Sequence, residues 1–239
     1  MIRSVTLPSS IWQRELSEFV QRPRVLVIRL LLPLAVIAPL LHGPRGRELA
    51  PMALTVVLAL LGSVTTSMIL VRERRSGLAL RYRLLPDSPA RVGAELLLAR
   101  AGLRAVQAAP ALVMVLASGA QGVAWWPALG LGTASTLVAG VVFATAVSTV
   151  TRSRGRAMIL TLVPVAAALA LAGAFAPLLP APRPATFLVP FAYAHAALTG
   201  TLGASAGMAP AEAAAGAAVW LLVCLALVPR VGRRLVETS

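Results

Sequence analysis

The chain contains no lysine: all 22 of its basic residues are arginine, against eight acidic residues. A P-loop of the form G-x-x-x-x-G-K-[ST] needs its lysine to reach the nucleotide phosphates, so no ATP site of that kind is encoded. The single cysteine, Cys224, excludes a disulfide framework within the chain and a C-x-x-C metal or redox motif. The two histidines, His42 and His195, are too few and too far apart to indicate a metal site. We therefore expect no cofactor and no metal in this chain.

Charged residues of any kind are also scarce, and this scarcity defines the class of protein. They make up 13% of the chain, whereas hydrophobic residues make up 58%. In a soluble domain about a quarter of the residues are charged. The mean hydropathy of +0.84 also indicates a chain much more apolar than a soluble domain. Because a crossing needs about 20 apolar residues, the composition predicts an all-α, polytopic membrane protein with one transmembrane domain, residues 1–239.

Windows with at most one charged residue predict six transmembrane helices. They cover residues 25–41, 51–71, 105–122, 129–150, 157–179 and 213–228. The connections on one side hold 18 arginines and those on the other side hold three. Since positive loops stay in the cytoplasm, both termini and residues 72–95 are expected to be cytoplasmic. Arg29 is then the only arginine well inside a span, close enough to its end to snorkel. We expect a multi-pass protein of the cytoplasmic (inner) membrane of a bacterium.

Residues 10–22, before the first span, have an amphipathic pattern. Ser10 and Gln13 fit a capping box. The apolar residues that follow recur at helical spacing; they are Trp12, Leu16, Phe19 and Val20. The pattern predicts a short interfacial helix on the inner leaflet, in contact with membrane lipid.

The fourth span carries small residues at a strict spacing of four. They are Gly132, Thr136, Gly140, Ala144 and Ser148. This spacing puts them on one helical stripe, where another backbone can approach closely. We expect a packing face, either within the bundle or between subunits.

Residues 177–210 are unusual for an outer loop, because they are apolar and are interrupted by six prolines. The segment is too broken to cross the membrane cleanly. It predicts either an element that re-enters the membrane near the outer mouth or an ordinary interfacial loop. Tyr193 and His195 are then candidate interfacial anchors.

The most basic stretch, residues 70–92, follows the second span. Glu73 is expected to pair with Arg74 or with an arginine of the N-terminal helix, and Gly77 permits a bend. Residues 78–85 can then form a short helix ended by Pro86. Its apolar face would be formed by Leu78, Tyr82 and Leu85, and it would be flanked by Arg81 and Arg83. The alternative is that the stretch is basic only to orient the protein in the membrane.

The order of these elements resembles the permease subunits of type-2 ATP-binding-cassette (ABC) transporters. Type-2 permeases tend to carry a Glu-Arg/Lys pair, then a Gly, then a Pro nine residues later, and Glu73, Arg74, Gly77 and Pro86 keep that spacing. The segment VPFAY, Val189 to Tyr193, is similar to the family's N-P-[LI]-x-Y. The sequence departs from the family pattern at Leu78, Leu80 and Val189.

The resemblance implies an exporter whose motor is another protein. Two permease copies, identical or different, would form the pathway, and separate cytoplasmic ATPase subunits would bind ATP and magnesium. The candidate ATPase-coupling residues are Glu73, Arg74, Gly77, Leu78, Arg81, Tyr82, Leu85 and Pro86. Pro190 and Tyr193 are candidates for an outer gate. A small amphipathic drug or lipid is the expected substrate, and no nucleic acid is expected as a partner.

Two other classes of function are left open by the residues. The first is a membrane scaffold or immunity protein that binds a partner without transport. The second is a membrane-embedded enzyme. The sequence favours it less, because no cluster of His, Asp, Glu or Cys residues lies within the spans.

Overall fold

The computed structural model describes residues 11–21, 23–41, 46–77, 82, 84–118, 122–175 and 186–237. These residues form helices and turns and contain no strand, which confirms the all-α class. In chain order the helices are α1 (Ile11–Val20), α2 (Pro23–Leu41), α3 (Gly46–Gly62), α4 (Val64–Arg75), α5 (Pro89–Ala117), α6 (Trp126–Val150), α7 (Arg154–Leu171), α8 (Pro190–Thr201) and α9 (Pro210–Glu237). A 3-10 turn, Val123–Trp125, leads into α6.

Apolar helices occur at all six predicted positions. Among the described residues, five segments are long and apolar enough to cross a membrane; they are Leu49–Arg75, Pro89–Ala117, Val123–Val150, Arg154–Leu171 and Pro210–Glu237. The first predicted span corresponds to a shorter apolar helix, Leu26–Leu41. At 1.5 Å per residue its length is about 24 Å, somewhat less than a hydrocarbon core. The chain is a multi-pass helical membrane protein.

The third span begins earlier than predicted, because α5 starts at Pro89 and not near residue 105. Ser88 caps it: the Arg91 backbone N–H donates to Ser88 Oγ at 3.4 Å. Arg100 and Arg104 precede the predicted span of residues 105–122, but they lie within the helix and are 3% and 5% exposed. The prediction that Arg29 is the only arginine well inside a span is wrong.

Arginine-rich segments meet at one end of the bundle. There, a buried cluster joins the end of α4, the start of α5 and the end of α9 through Leu70, Leu96 and Leu235. A neighbouring cluster joins α4, α6 and α7 through Val71, Val147 and Ala157. The arginines at these helix ends are Arg72, Arg74, Arg75, Arg91, Arg152, Arg154, Arg156, Arg230, Arg233 and Arg234. We call this the basic end; that it faces the cytoplasm stays a prediction.

The small-residue stripe of α6 is buried inside the chain along its whole length. A Cβ added to Gly132 would lie 2.9 Å from the Cα of Ala194 on α8. A Cβ added to Gly140 would lie 2.9 Å from the carbonyl carbon of Gly62 on α3. Of the two alternatives left by the sequence, the structure therefore shows packing within the bundle.

Helix α8 provides the described part of the predicted re-entrant or interfacial element. Its 12 residues span about 18 Å, too short to cross a membrane. Nearly all of its side chains are buried against α3, α6 and α9. His195 Nδ1 lies 3.4 Å from Thr55 Oγ1 of α3, and Gly200 lies against the ring of Trp125 at the start of α6. The helix is thus built into the bundle and is not a surface loop, while residues 176–185 lie outside the described residues.

Tyr193 is not an interfacial anchor, contrary to the prediction from sequence. Its side chain is 7% exposed, and its hydroxyl donates to the carbonyl of Phe187 at 2.8 Å. The ring lies directly on Gly216 of α9, where a side chain would collide with it. Pro190 forms the first turn of α8, where its fixed φ and missing N–H cost nothing. The role of both residues as an outer gate stays a prediction.

Helix α1 occupies the predicted N-terminal amphipathic segment and packs on α5. The ring of Trp12 lies over Gly102, where a Cβ would collide with it. Trp12, Leu16 and Val20 keep about half of their surface exposed. Such side chains are what an interfacial helix presents to lipid. Ser10 and the side chain of Phe19 lie outside the described residues, and the interfacial assignment stays a prediction.

Candidate functional site

An arginine that is nearly fully buried ties three helices together at the basic end. Arg100 of α5 donates from Nη2 to the carboxylate of Glu73 in the last turn of α4. The carboxylate of Glu15 on α1 lies 3.8 Å from the same Nη2 atom. A buried charge is stable only when it is paired and hydrogen-bonded, so the two glutamates stabilise Arg100 in this position. The partner of Glu73 is thus an arginine that the sequence analysis had not considered.

Arg74, which we expected to pair with Glu73, contacts another helix. Its Nη1 donates to the carbonyl of Ser148 in the last turn of α6. A cation close to the carbonyl end of a helix is favourable, because the helix dipole is negative there. Glu73 and Arg74 therefore contact different neighbours: the first contacts α5 and α1, and the second contacts α6.

The chain leaves α4 through a turn that glycine makes possible. The N–H of Ser76 donates to the carbonyl of Arg72 at 3.0 Å and closes the helix. Gly77 follows with φ +72°, a left-handed conformation that residues with a Cβ rarely adopt. The predicted bend at Gly77 is confirmed. Of the coupling residues named from sequence, Leu78 and Arg81 lie outside the described residues.

Tyr82 is buried inside the chain and does not form an outward face with Leu85. It is 5% exposed and packs among Leu70, Leu96 and Leu235. Burial, and after it the charge of Glu73, raises the pKa of Tyr82 to about 12. The prediction of a shared docking face is wrong for this residue, because the tyrosine ring fills the space between α4, α5 and α9.

The exposed part of the loop lies directly after Tyr82. Leu84 is 82% exposed and Leu85 is 40% exposed, and Pro86 is exposed as well. Leu84 lies in a turn and Leu85 in a bend, so the last two residues of the helix predicted over residues 78–85 are not helical. Of residues 78–83 the structure describes only Tyr82. An apolar surface is therefore available to a partner at Leu84 and Leu85, on a loop whose base is fixed by Tyr82 and Glu73.

Two more polar residues continue the buried stripe of α5 beyond Arg100. Arg104 and Gln107 follow at helical spacing and are 5% and 1% exposed. Arg104 Nη1 donates to Gln107 Oε1 at 2.7 Å. We call Glu15, Glu73, Arg100, Arg104 and Gln107 the charge network. Its members come from α1, α4 and α5, so distant parts of the sequence assemble it.

A small cavity at the basic end borders Glu73 and Tyr82. It is lined by Leu70, Glu73, Arg74, Tyr82, Leu96, Leu235 and Val236, and it has room for about one water molecule. In the described part of the chain no three His, Cys, Asp or Glu side chains lie close enough to hold a metal ion. The contacts of Glu73, Glu15 and Arg100 fix α1, α4 and α5 relative to one another.

Sequence reasoning missed Arg100, Arg104 and Gln107, although their spacing carries a signal. They recur at i, i+4 and i+7 between apolar residues, which puts them on one face of a helix. We interpreted their charges as the signature of a loop. Glu15 and Glu73, which neutralise Arg100, come from segments 85 and 27 residues away, and no local pattern reveals such pairing.

Comparison with known proteins gives no relative. No family model, no curated protein and no solved structure matches the chain.

Proposed function

We propose that the chain is the membrane subunit of an ABC exporter of the type-2 family. It would form the translocation pathway together with a second permease copy, identical or related, in the inner membrane. ATP hydrolysis would take place on a separate cytoplasmic ATPase, and a small amphipathic drug or lipid would be exported. The proposal rests on the resemblance of the loop after α4 to the family's coupling segment.

One observation carries the proposal furthest: the base of this loop is fixed to the bundle while its tip is exposed. Glu73 contacts Arg100, Arg74 contacts Ser148, and Tyr82 is buried in the core. Leu84 and Leu85, a few residues further on, are exposed. A force applied at the tip would therefore reach α1, α4, α5 and α6 through direct contacts. This is the arrangement that coupling to an external motor requires.

A second permease copy has a surface available to it. In α7 and α9 only 22% of the most apolar window is buried within the chain, against 56% in the other long spans. Leu222 on α9 and Val163 on α7 are examples of the exposed apolar side chains. Lipid or a second copy would cover them, and the mass of the purified complex distinguishes the two.

Co-purification tests the proposal. The chain is tagged and expressed with the ABC ATPases of the same genome, starting with any that a neighbouring reading frame encodes, and the ATPase retained on the affinity resin is measured. Replacing Leu84 and Leu85 together with Asp should abolish retention of the ATPase and export, because charge is placed on the exposed tip. Membrane insertion should be unchanged, since every arginine remains.

A control variant places one negative charge at the opposite end. Val123 is 74% exposed in the turn before α6, and Val123→Asp should retain the ATPase fully. If the double variant still retains the ATPase and still exports, the loop is only a topological signal. If no ATPase is retained by the wild-type chain, the exporter proposal fails and a scaffold role becomes the better interpretation.

A further inference from the structure

Three members of the charge network, Arg100, Arg104 and Gln107, carry hydrogen-bond donors that have no acceptor among the described residues. They are Arg100 Nε, Arg100 Nη1, Arg104 Nε and Gln107 Nε2, and none of these buried atoms has a hydrogen-bond partner among the described residues. All four are nitrogen donors. A buried donor without an acceptor costs about 1–3 kcal/mol, and more when it is charged. The set therefore calls for a ligand with several acceptor oxygens.

The charges around these donors do not balance either. The field at Arg104 comes from Arg100 and Arg29, opposed by Glu15 and Glu73. Among the described residues, three guanidinium groups thus face two carboxylates, so the positive charge exceeds the negative charge. An anion that joins this group would satisfy both the charge and the free donors.

Arg29 opens the group to the membrane. It lies on α2, which packs against α5, and it is exposed. Arg29 makes no hydrogen bond or ion pair with a residue that the structure describes. Leu16 of α1, at the same end, is also half exposed. The junction of α1, α2 and α5 therefore presents an exposed arginine and apolar surface next to buried donors.

We propose that Arg29, Arg104 and Gln107, with the free N–H groups of Arg100, bind the phosphate of an anionic phospholipid at this junction. A phosphodiester supplies two charged oxygens for the guanidinium groups, and Arg–phosphate pairs are strong because they are charge-assisted and often bidentate. The acyl chains would lie along the exposed apolar side chains of α2. Basic pockets between transmembrane helices bind the headgroups of anionic lipids. The site does not depend on export, since lipid binds whether or not the chain moves a substrate.

Native mass spectrometry of the full chain in a neutral detergent tests this site. The protein is titrated separately with phosphatidylglycerol, with phosphatidylcholine and with inorganic phosphate, and dissociation constants are taken from the bound fractions. Phosphatidylglycerol should bind at least about tenfold more tightly than phosphatidylcholine. Inorganic phosphate distinguishes the two sources of the same chemistry: equal binding of phosphate and phosphatidylglycerol would overturn the assignment to lipid.

Arginine variants locate the binding. Arg104→Gln and Arg29→Gln should each weaken phosphatidylglycerol binding about tenfold. Arg91→Gln is the matched control: Arg91 is on the same helix and loses the same charge, but its side chain is 67% exposed and pairs with Asp87 and Glu95. Arg91→Gln should bind phosphatidylglycerol with the same dissociation constant as the wild type.

Arg29→Gln should not impair folding, because Arg29 is exposed and has no described partner within the chain. Weaker lipid binding by this variant would therefore report on the site itself. A single symmetric peak in size-exclusion chromatography confirms that each variant is folded. If Arg91→Gln weakens binding as much as Arg29→Gln, or if the two lipids bind equally, the site does not exist. Since ATPase retention is not measured here, this outcome would leave the exporter proposal unaffected.

Discussion

Gly140 of α6 faces Gly62 of α3 with no side chain between them. A Cβ on Gly140 would lie 2.9 Å from the carbonyl carbon of Gly62 and 3.0 Å from the backbone nitrogen of Ser63. Separations near 3 Å are closer than Cβ atoms normally approach backbone, so the two helices can meet only where a side chain is missing. The contact lies where α3 passes into α4, deep in the bundle.

Gly140→Leu should therefore destabilise the fold. A larger side chain must push two backbones apart, and overpacking of this kind costs about 1–3 kcal/mol or more. The unfolding temperature and the fraction of monodisperse protein in size-exclusion chromatography should both fall. Gly130→Leu is the control on the same helix, because a Cβ at Gly130 meets nothing within 4 Å. Equal behaviour of the two variants would show that the close approach is not required.

Glu73→Gln should destabilise the protein by leaving Arg100 with a weaker partner. Loss of one member of a buried ion pair costs about 3–5 kcal/mol, and the lower end applies because Glu15 stays near Arg100. The free energy of unfolding, measured by denaturant titration in mixed micelles, reports the change. Combining Glu73→Gln with Arg100→Gln should cost less than the sum of the two single changes. Strict additivity would mean that the two residues do not interact.

The surface pair Arg233–Glu237 supplies the control for this measurement. Its side chains are 64% and 46% exposed, so Glu237→Gln should change stability little. A loss as large as that of Glu73→Gln would indicate a general effect of removing negative charge from so basic a chain.

Two substitutions of Tyr82 test whether its ring fills a buried space and whether its hydroxyl has a partner. Its hydroxyl has no hydrogen-bond partner among the described residues, so Tyr82→Phe should be neutral or slightly stabilising. The ring of Phe still fills the space and can still lie under Arg14, whose guanidinium carbon is 5.5 Å from the ring centre. Tyr82→Ala should cost about 3–5 kcal/mol through the cavity it leaves. If both variants lose the same stability in thermal unfolding, the hydroxyl has a structural partner.

The basic end should face the cytoplasm. In a Cys224→Ala background, cysteine placed at Leu84 should react with a membrane-impermeant maleimide only after the inner face is exposed. Cysteine placed at Val123, which is 74% exposed at the opposite end, should react in intact cells. Labelling of both cysteine sites is measured in intact cells and again after the inner face is exposed. Each site is therefore the control for the other. Reaction of the Leu84 site in intact cells would invert the topology.

The spans could be predicted from sequence because hydropathy depends on local composition. The start of α5 could not, since Arg100 and Arg104 lower the local hydropathy although both are buried. The burial of Arg100 depends on Glu15 and Glu73, which approach it only in the folded chain. Tyr82 was misplaced for a similar reason: a helical pattern shows which residues share a face and does not show whether that face contacts solvent or the core.

Other features of the site were predictable because they follow from one residue's own conformation. The bend at Gly77 is an example, since its φ of +72° is a property of glycine and needs no long-range contact. The stripe of α6 was predicted as a packing face, but its partners α3 and α8 were not. Small residues indicate that another backbone approaches closely, but they do not show which helix that backbone belongs to.

The two adjacent contacts of Glu73 and Arg74 limit how α4 can move. Neighbouring residues on a helix point about 100° apart, so α4 is held at its end from two directions, by Arg100 of α5 and by the carbonyl of Ser148 of α6. Rotation of α4 about its own axis would turn both side chains away from their partners together. The end of α4 is therefore locked against torsion, and any displacement that keeps both contacts must carry α5 and α6 with it as one rigid block.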